Sequence, residues 1–156
     1  LAGIGKALAL LPSDEINRLA LEEFSPTFGR AGLYRVALAG KARSERDTIG
    51  RALFAAELTA EALAEKFRAG GRIKSTRLTE HFGPEQFATR LAQGVLPMFV
   101  ITPDNKLQVV TADAKPALKA GCTVLSLVPA NVQAIEAAPE AAAAAAKATG
   151  STEGTG

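Results

Sequence analysis

An unbroken apolar run at 7–11, Ala-Leu-Ala-Leu-Leu, stops at Pro12-Ser13 and gives way to a helical repeat. The run predicts a buried strand, and the repeat predicts a helix over Asp14–Phe28 with Ile16, Leu19, Ala20, Phe24 and Phe28 as its apolar face. Ser13 is placed to cap the helix, Asp14 and Glu15 meet the positive end of its dipole, and Gly29 stops it. Pro26 lies late in the repeat and predicts a kinked or shortened last turn, because proline supplies no N–H to the ladder. A second apolar run over 33–38 follows at once and predicts a strand parallel to the first, completing a β-α-β unit.

Residues 40–50 are polar, charge-rich and bounded by glycines, the composition of a linker. Beyond them the elements shorten. The pattern predicts a strand over 52–55, a helix over 60–69 capped by Thr59, and a stop at Gly70-Gly71. A basic strand over 72–79 follows, then a helix opened by Pro84 and closed at Gly94. A hairpin of 95–101 with 107–111 turns through Thr102-Pro103-Asp104-Asn105-Lys106, and a last strand covers 123–128. From Ala130 the chain turns Ala-rich and then Gly- and Ser-rich, with no large apolar side chain in 141–147 to dock a helix. The expected organisation is an α/β half-Rossmann unit over 1–39, a linker over 40–50, a small α+β module with a mostly antiparallel sheet over 51–129, and a disordered tail over 130–156. Because Leu1 is not an initiator methionine and the first strand has no Gly-rich phosphate loop before it, the chain is expected to be a fragment with its front half upstream.

Composition narrows the function. A hydrophobic share of 47% in 156 residues is enough for a core. The formal charge of +2 is too small to indicate nucleic-acid binding, so no nucleic-acid partner is expected. A single cysteine, Cys122, excludes an internal disulfide, and with a single histidine, His81, it cannot build a conventional Cys/His zinc site. No run reaches the length of about 18 apolar residues that a membrane helix needs.

Asp14, Glu15 and Asn17 stand at the C-terminal end of the first strand, where open parallel sheets bind ligands. A carboxylate accepting from hydroxyls and an amide that both donates and accepts would suit a ribose or an adenine edge. Helix capping and dipole compensation explain the same residues without a ligand. Arg72 and Lys74 fall on one face of the basic strand and Arg77 on the other, the pattern of an edge strand guarded by charge. His81 beside Glu80 has no nucleophile to activate, Cys122 reads as a packed strand residue, and Phe82, Phe87, Met98 and Phe99 read as core.

Three stretches together resemble one family. The first is Leu8-Ala9-Leu10-Leu11-Pro12-Ser13-Asp14-Glu15-Ile16-Asn17, with Phe24, Phe28-Gly29-Arg30 and Leu33-Tyr34-Arg35. The second is Gly50-Arg51-Ala52-Leu53-Phe54 with Leu58-Thr59. The third is Gly71-Arg72-Ile73-Lys74-Ser75-Thr76-Arg77-Leu78-Thr79-Glu80, with Leu96-Pro97-Met98-Phe99-Val100 and the run from Leu118 through Cys122 to Pro129. They resemble the end of the nucleotide-binding domain and the C-terminal module of bacterial monovalent cation:proton antiporters, over about residues 5–129. The resemblance implies a non-enzymatic regulatory and dimerising portion at the cytoplasmic face of the bacterial inner membrane. Its expected partners are the membrane antiporter domain of the same polypeptide and a second copy. It further implies Asp14 and Asn17 as nucleotide-adjacent residues, with NAD or another adenine nucleotide as the ligand in the full-length protein, and no catalytic or metal residues. The rival readings are a soluble potassium-uptake regulatory subunit and a piece of a nicotinamide-dependent oxidoreductase. Against the latter, no acid/base pair or activated nucleophile stands at a persuasive spacing.

Overall fold

The computed structural model describes residues 5–37, 49–114 and 116–132. Its first layer is a β-α-β unit made of β1 (Ala7–Ala9), α1 (Asp14–Phe28) and β2 (Leu33–Arg35), with β1 and β2 parallel. The third strand of this sheet is β3 (Arg51–Ala52), parallel to β2 in the register Tyr34↔Arg51 and Arg35↔Ala52. The order β1-β2-β3 leaves β1 on an edge. Residues 51–52, read from the pattern as the start of the second module, therefore pair within the first sheet.

Helix α2 (Ala60–Arg68) leads to β4 (Arg72–Arg77), and α3 (Pro84–Ala92) leads to β5 (Leu96–Ile101), β6 (Leu107–Val109) and β7 (Thr123–Val128). These four strands form an antiparallel sheet in the order β4-β7-β5-β6. The class is thus α/β, with helices packed on a three-stranded parallel and a four-stranded antiparallel sheet. Thr59 caps α2 by accepting from the Ala62 amide at 3.2 Å, as its position before the repeat predicts. Gln86 reaches back to accept from the Gly83 amide at 2.9 Å at the start of α3.

Several boundaries differ from the pattern. Strand β1 ends at Ala9 and leaves Leu10 and Leu11 exposed, since the chain must already turn toward Ser13. The strand expected over 33–38 is Leu33–Arg35, with residue 38 outside the described residues; that over 52–55 is Arg51–Ala52 with a bridge at Leu53, and that over 72–79 ends at Arg77. Helix α1 is not shortened by Pro26, and the Gly29 amide still donates to the Ser25 carbonyl at 2.9 Å. The carbonyl that Pro26 deprives of a donor belongs to the exposed residue Glu22, where water can replace it. The α1 face is also rotated: Asn17 and Leu21 are buried, whereas Ile16 and Leu19 are 53% and 65% exposed. Most of the 40–50 linker, and the tail from 133 onward, lie outside the described residues.

Three apolar clusters hold the layers together. Ala9, Leu21 and Leu33 pack α1 on the parallel sheet. On the other face of that sheet, Tyr34 and Val36 meet Phe54, Leu58, Leu63, Met98 and Leu127 in a core shared with the antiparallel sheet. Phe87 of α3 covers the far face of the antiparallel sheet with Leu78, Val100, Cys122 and Val124. Gly50 shows why glycine stands at the entry to β3: its φ is +88°, and an added Cβ would lie 2.8 Å from Leu21 Cδ1.

Candidate functional site

The C-terminal edge of the parallel sheet gathers the loop after β1, the first turn of α1 and the end of β2. Ser13 accepts from the Ile16 amide at 3.4 Å and its carbonyl accepts from the Asn17 amide at 3.0 Å, so the chain enters α1 in a capped turn. Asn17 is 2% exposed and closes a two-bond ring with the loop. Its Nδ2 donates to the Leu11 carbonyl at 2.7 Å, and its Oδ1 accepts from the Leu11 amide at 3.0 Å. The amide group expected beside a nucleotide thus braces the β1–α1 turn, and both its oxygen and its nitrogen are engaged within the chain.

Asp14 is half-buried in the first turn of α1 and acts electrostatically on Arg35, the last residue of β2. Burial pulls the Arg35 guanidinium below its ordinary value, and the Asp14 carboxylate partly restores it. Arg35 Nη1 donates to the Val36 carbonyl at 3.2 Å, while Nε is buried without a hydrogen-bond partner. A buried donor left unpaired is costly, so this nitrogen is the polar atom at the edge with most to gain from an acceptor. In the sequence Arg35 stands out only as part of the Leu33-Tyr34-Arg35 motif. Its signal was a cation inside an otherwise apolar strand, Leu33-Tyr34-Arg35-Val36. Together Arg35 and the α1 N-terminus favour an anion, and the Asp14 carboxylate can accept from a hydroxyl on the same molecule.

The same edge is wired to the second sheet. The Arg35 carbonyl accepts from the Leu53 amide at 2.7 Å, Leu53 bridges antiparallel to Thr111, and the Phe54 amide donates to the Val110 carbonyl at 2.9 Å. Phe54 has a φ of +63°, a left-handed conformation that a bulky residue adopts only where its surroundings over-determine it. Its ring meets Phe99 edge-on at 5.6 Å. Arg51 adds an exposed clamp, with Nη2 donating to Thr111 Oγ1 at 3.0 Å and to Asp113 Oδ1 at 3.1 Å.

Other candidates do not converge on a site. His81 and Glu80 are exposed, and Cys122 is fully buried as a free thiol. Among the described residues no group of three or more His, Cys, Asp or Glu could hold a metal ion. Also among them, no helix is long and apolar enough to cross a membrane. Two open clefts lie away from the edge. One of about 420 Å³ runs past Lys66, Gly71, Gly94 and Pro129, and a shallower one follows α3 past Gln86, Thr89 and Gln93. Comparison of the chain with protein-family models, with curated proteins and with solved structures found no match.

Proposed function

We propose that this chain is the cytosolic regulatory and dimerising portion of a monovalent cation:proton antiporter, its parallel layer corresponding to the closing half of a Rossmann-type nucleotide-binding domain. The observation that carries the reading is the double role of Arg35. Its Nε is buried without a partner at the C-terminal edge of the parallel sheet, so a ligand acceptor reaches it only in an opened arrangement, while its carbonyl holds Leu53 at the joint between the sheets. An anionic ligand such as NAD or ADP, with a phosphate on Arg35 and a ribose hydroxyl on Asp14, binds better to one arrangement of this joint than to another. It thereby shifts the population that the attached transporter feels. The chain works as a binding and coupling module, without chemistry of its own. The open β1 edge and the exposed Leu10, Leu11, Ile16 and Leu19 support a second surface, a front half or another copy, completing the parallel layer.

The test has two readouts. Calorimetric titration of the chain with NAD and ADP is expected to show saturable binding that Arg35→Gln abolishes and that Asn17→Ala leaves in place. In the transporter that carries this chain, Arg35→Gln is expected to remove the nucleotide dependence of cation:proton exchange in inverted membrane vesicles. No heat with either nucleotide at millimolar concentration, together with unchanged exchange, would sink the proposal. Hydrogen exchange checks the completion of the sheet: slow amides throughout β1 in a monomeric sample would count against it.

A further inference from the structure

Strand β4 is the opposite extreme of the molecule. It is an edge of the antiparallel sheet, five of its six residues are exposed, and Ile73, its second residue, is 48% exposed. Leu78 directs its amide to the Cys122 carbonyl and its carbonyl to the Gly121 amide. By the two-residue alternation of an antiparallel ladder, Thr76, Lys74 and Arg72 also face β7, while the N–H and C=O groups of Ile73, Ser75 and Arg77 point outward. Among the described residues nothing pairs with these groups, which leaves a template about three residue pairs long.

Charge selects what it can accept. From Lys66 to Arg77 the chain carries Lys66, Arg68, Arg72, Lys74 and Arg77 and no acid, and all five are exposed. Arg68 is paired with Glu65 on α2; no salt bridge joins the other four to a described residue. Pairing β4 with the β4 of a second copy would line six like charges along one ladder, so self-association through this edge is disfavoured. Guarding an edge needs a charge or two, and it does not need an isoleucine left open between them, with Phe67 43% exposed on the preceding helix. We infer that the β4 edge receives an extended acidic segment of a partner protein as an added strand. Backbone bonds to Ile73, Ser75 and Arg77 would give affinity, and acids on both faces would answer Arg72, Lys74 and Arg77. One apolar side chain would cover Ile73. The edge is separate from the Asp14–Arg35 region, so this inference stands without the nucleotide reading.

The probe is a fluorescein-labelled extended peptide with Glu on both strand faces around a single Val, titrated by anisotropy against the full 156-residue chain. Saturable binding below about 1 mM is expected, weakened at least about tenfold by Lys74→Glu with Arg77→Glu and by Ser75→Pro, which removes an outward N–H from an edge position that tolerates proline. Circular dichroism checks that each variant is folded. On the unaltered chain, the same peptide N-methylated at alternate residues must lose binding, which keeps the test valid if a variant misfolds. Equal binding of the N-methylated peptide, or of the same peptide with Lys in place of each Glu, overturns the inference. So does absence of peptide binding combined with sedimentation on phosphatidylglycerol vesicles, which would assign the basic edge to a lipid surface.

Discussion

The antiparallel sheet is covered on both faces, by Phe87 of α3 on one side and by the shared core with Leu63 of α2 on the other. The parallel sheet has α1 for its outer cover and, among the described residues, an unpaired β1 edge. Among the described residues the outer core under α1 is small, with Ala9, Leu21 and Leu33 as its buried members. Burial drives folding roughly in proportion to the apolar area removed from water. The antiparallel unit is therefore the stable body of the molecule, and the parallel layer is held largely by what it shares with that body. The element nearest the candidate edge is thus the one with least to hold it, which fits the response to a ligand proposed for it.

Four substitutions break or sharpen this contrast, from the largest effect to the smallest. Phe87→Ala opens a cavity in a fully closed core and should cost about 3–5 kcal/mol in urea unfolding. The fluorescence of Tyr34, the only tyrosine in a chain without tryptophan, reports the shared core in that experiment. Leu21→Ala should cost about 2–3 kcal/mol, at the lower end for such a truncation because the small cluster under α1 can partly collapse. Its effect should be local, with hydrogen exchange accelerated in β1 and unchanged in β7. Equal acceleration in both strands would show that the two layers unfold as one unit.

Asn17→Ala deletes two bonds and leaves the Leu11 amide and carbonyl to water, which should cost about 1–2 kcal/mol by thermal or urea unfolding. If the loss is instead confined to ligand affinity with stability unchanged, Asn17 belongs to the site after all. Asp113→Asn should cost less than about 1 kcal/mol, since the pair with Arg51 is open to solvent. The sign with pH is definite. The Thr111 hydroxyl, and then Arg51, hold the Asp113 carboxyl below its ordinary value of 3.8. Its contribution is therefore present above that value and is lost as pH falls through the depressed one, so the variant and the parent should converge in acid.

Helix α1 shows how far local pattern reaches. Ser13, the acids after it and Gly29 set both ends at Asp14–Phe28, because capping is chemistry between near neighbours. The buried face was harder to read. Ile16, Leu19, Ala20, Phe24 and Phe28 together with Leu21 span too much of the helix for periodicity to choose one stripe. The choice fell to Asn17, drawn inward by the Leu11 backbone, and to Leu21, which fills the space above Ala9 and Leu33. A polar residue on the buried face runs against any hydropathy count, and only the unsatisfied loop groups explain it. Arg35 was only partly legible for a related reason: a cation inside an apolar strand stands out, but its role comes from the burial of Nε and from the Leu53 amide that its carbonyl accepts.

By itself the sequence determined the local elements: the helix caps at Ser13 and Thr59, the turn at 102–106, the strand Thr123–Val128, and the charged character of β4. Those features arise from interactions a few residues apart, or from side chains that water must solvate wherever the fold puts them. Tertiary structure decided that Arg51–Ala52 pairs with β2 across the charged 40–50 segment, that Phe54 is held left-handed between Val110 and Phe99, and that Arg35 joins the C-terminal edge of the parallel sheet to an inter-sheet joint. Each depends on partners distant in sequence. Contacts between such partners form only once the intervening chain has been ordered, so no local window carries them.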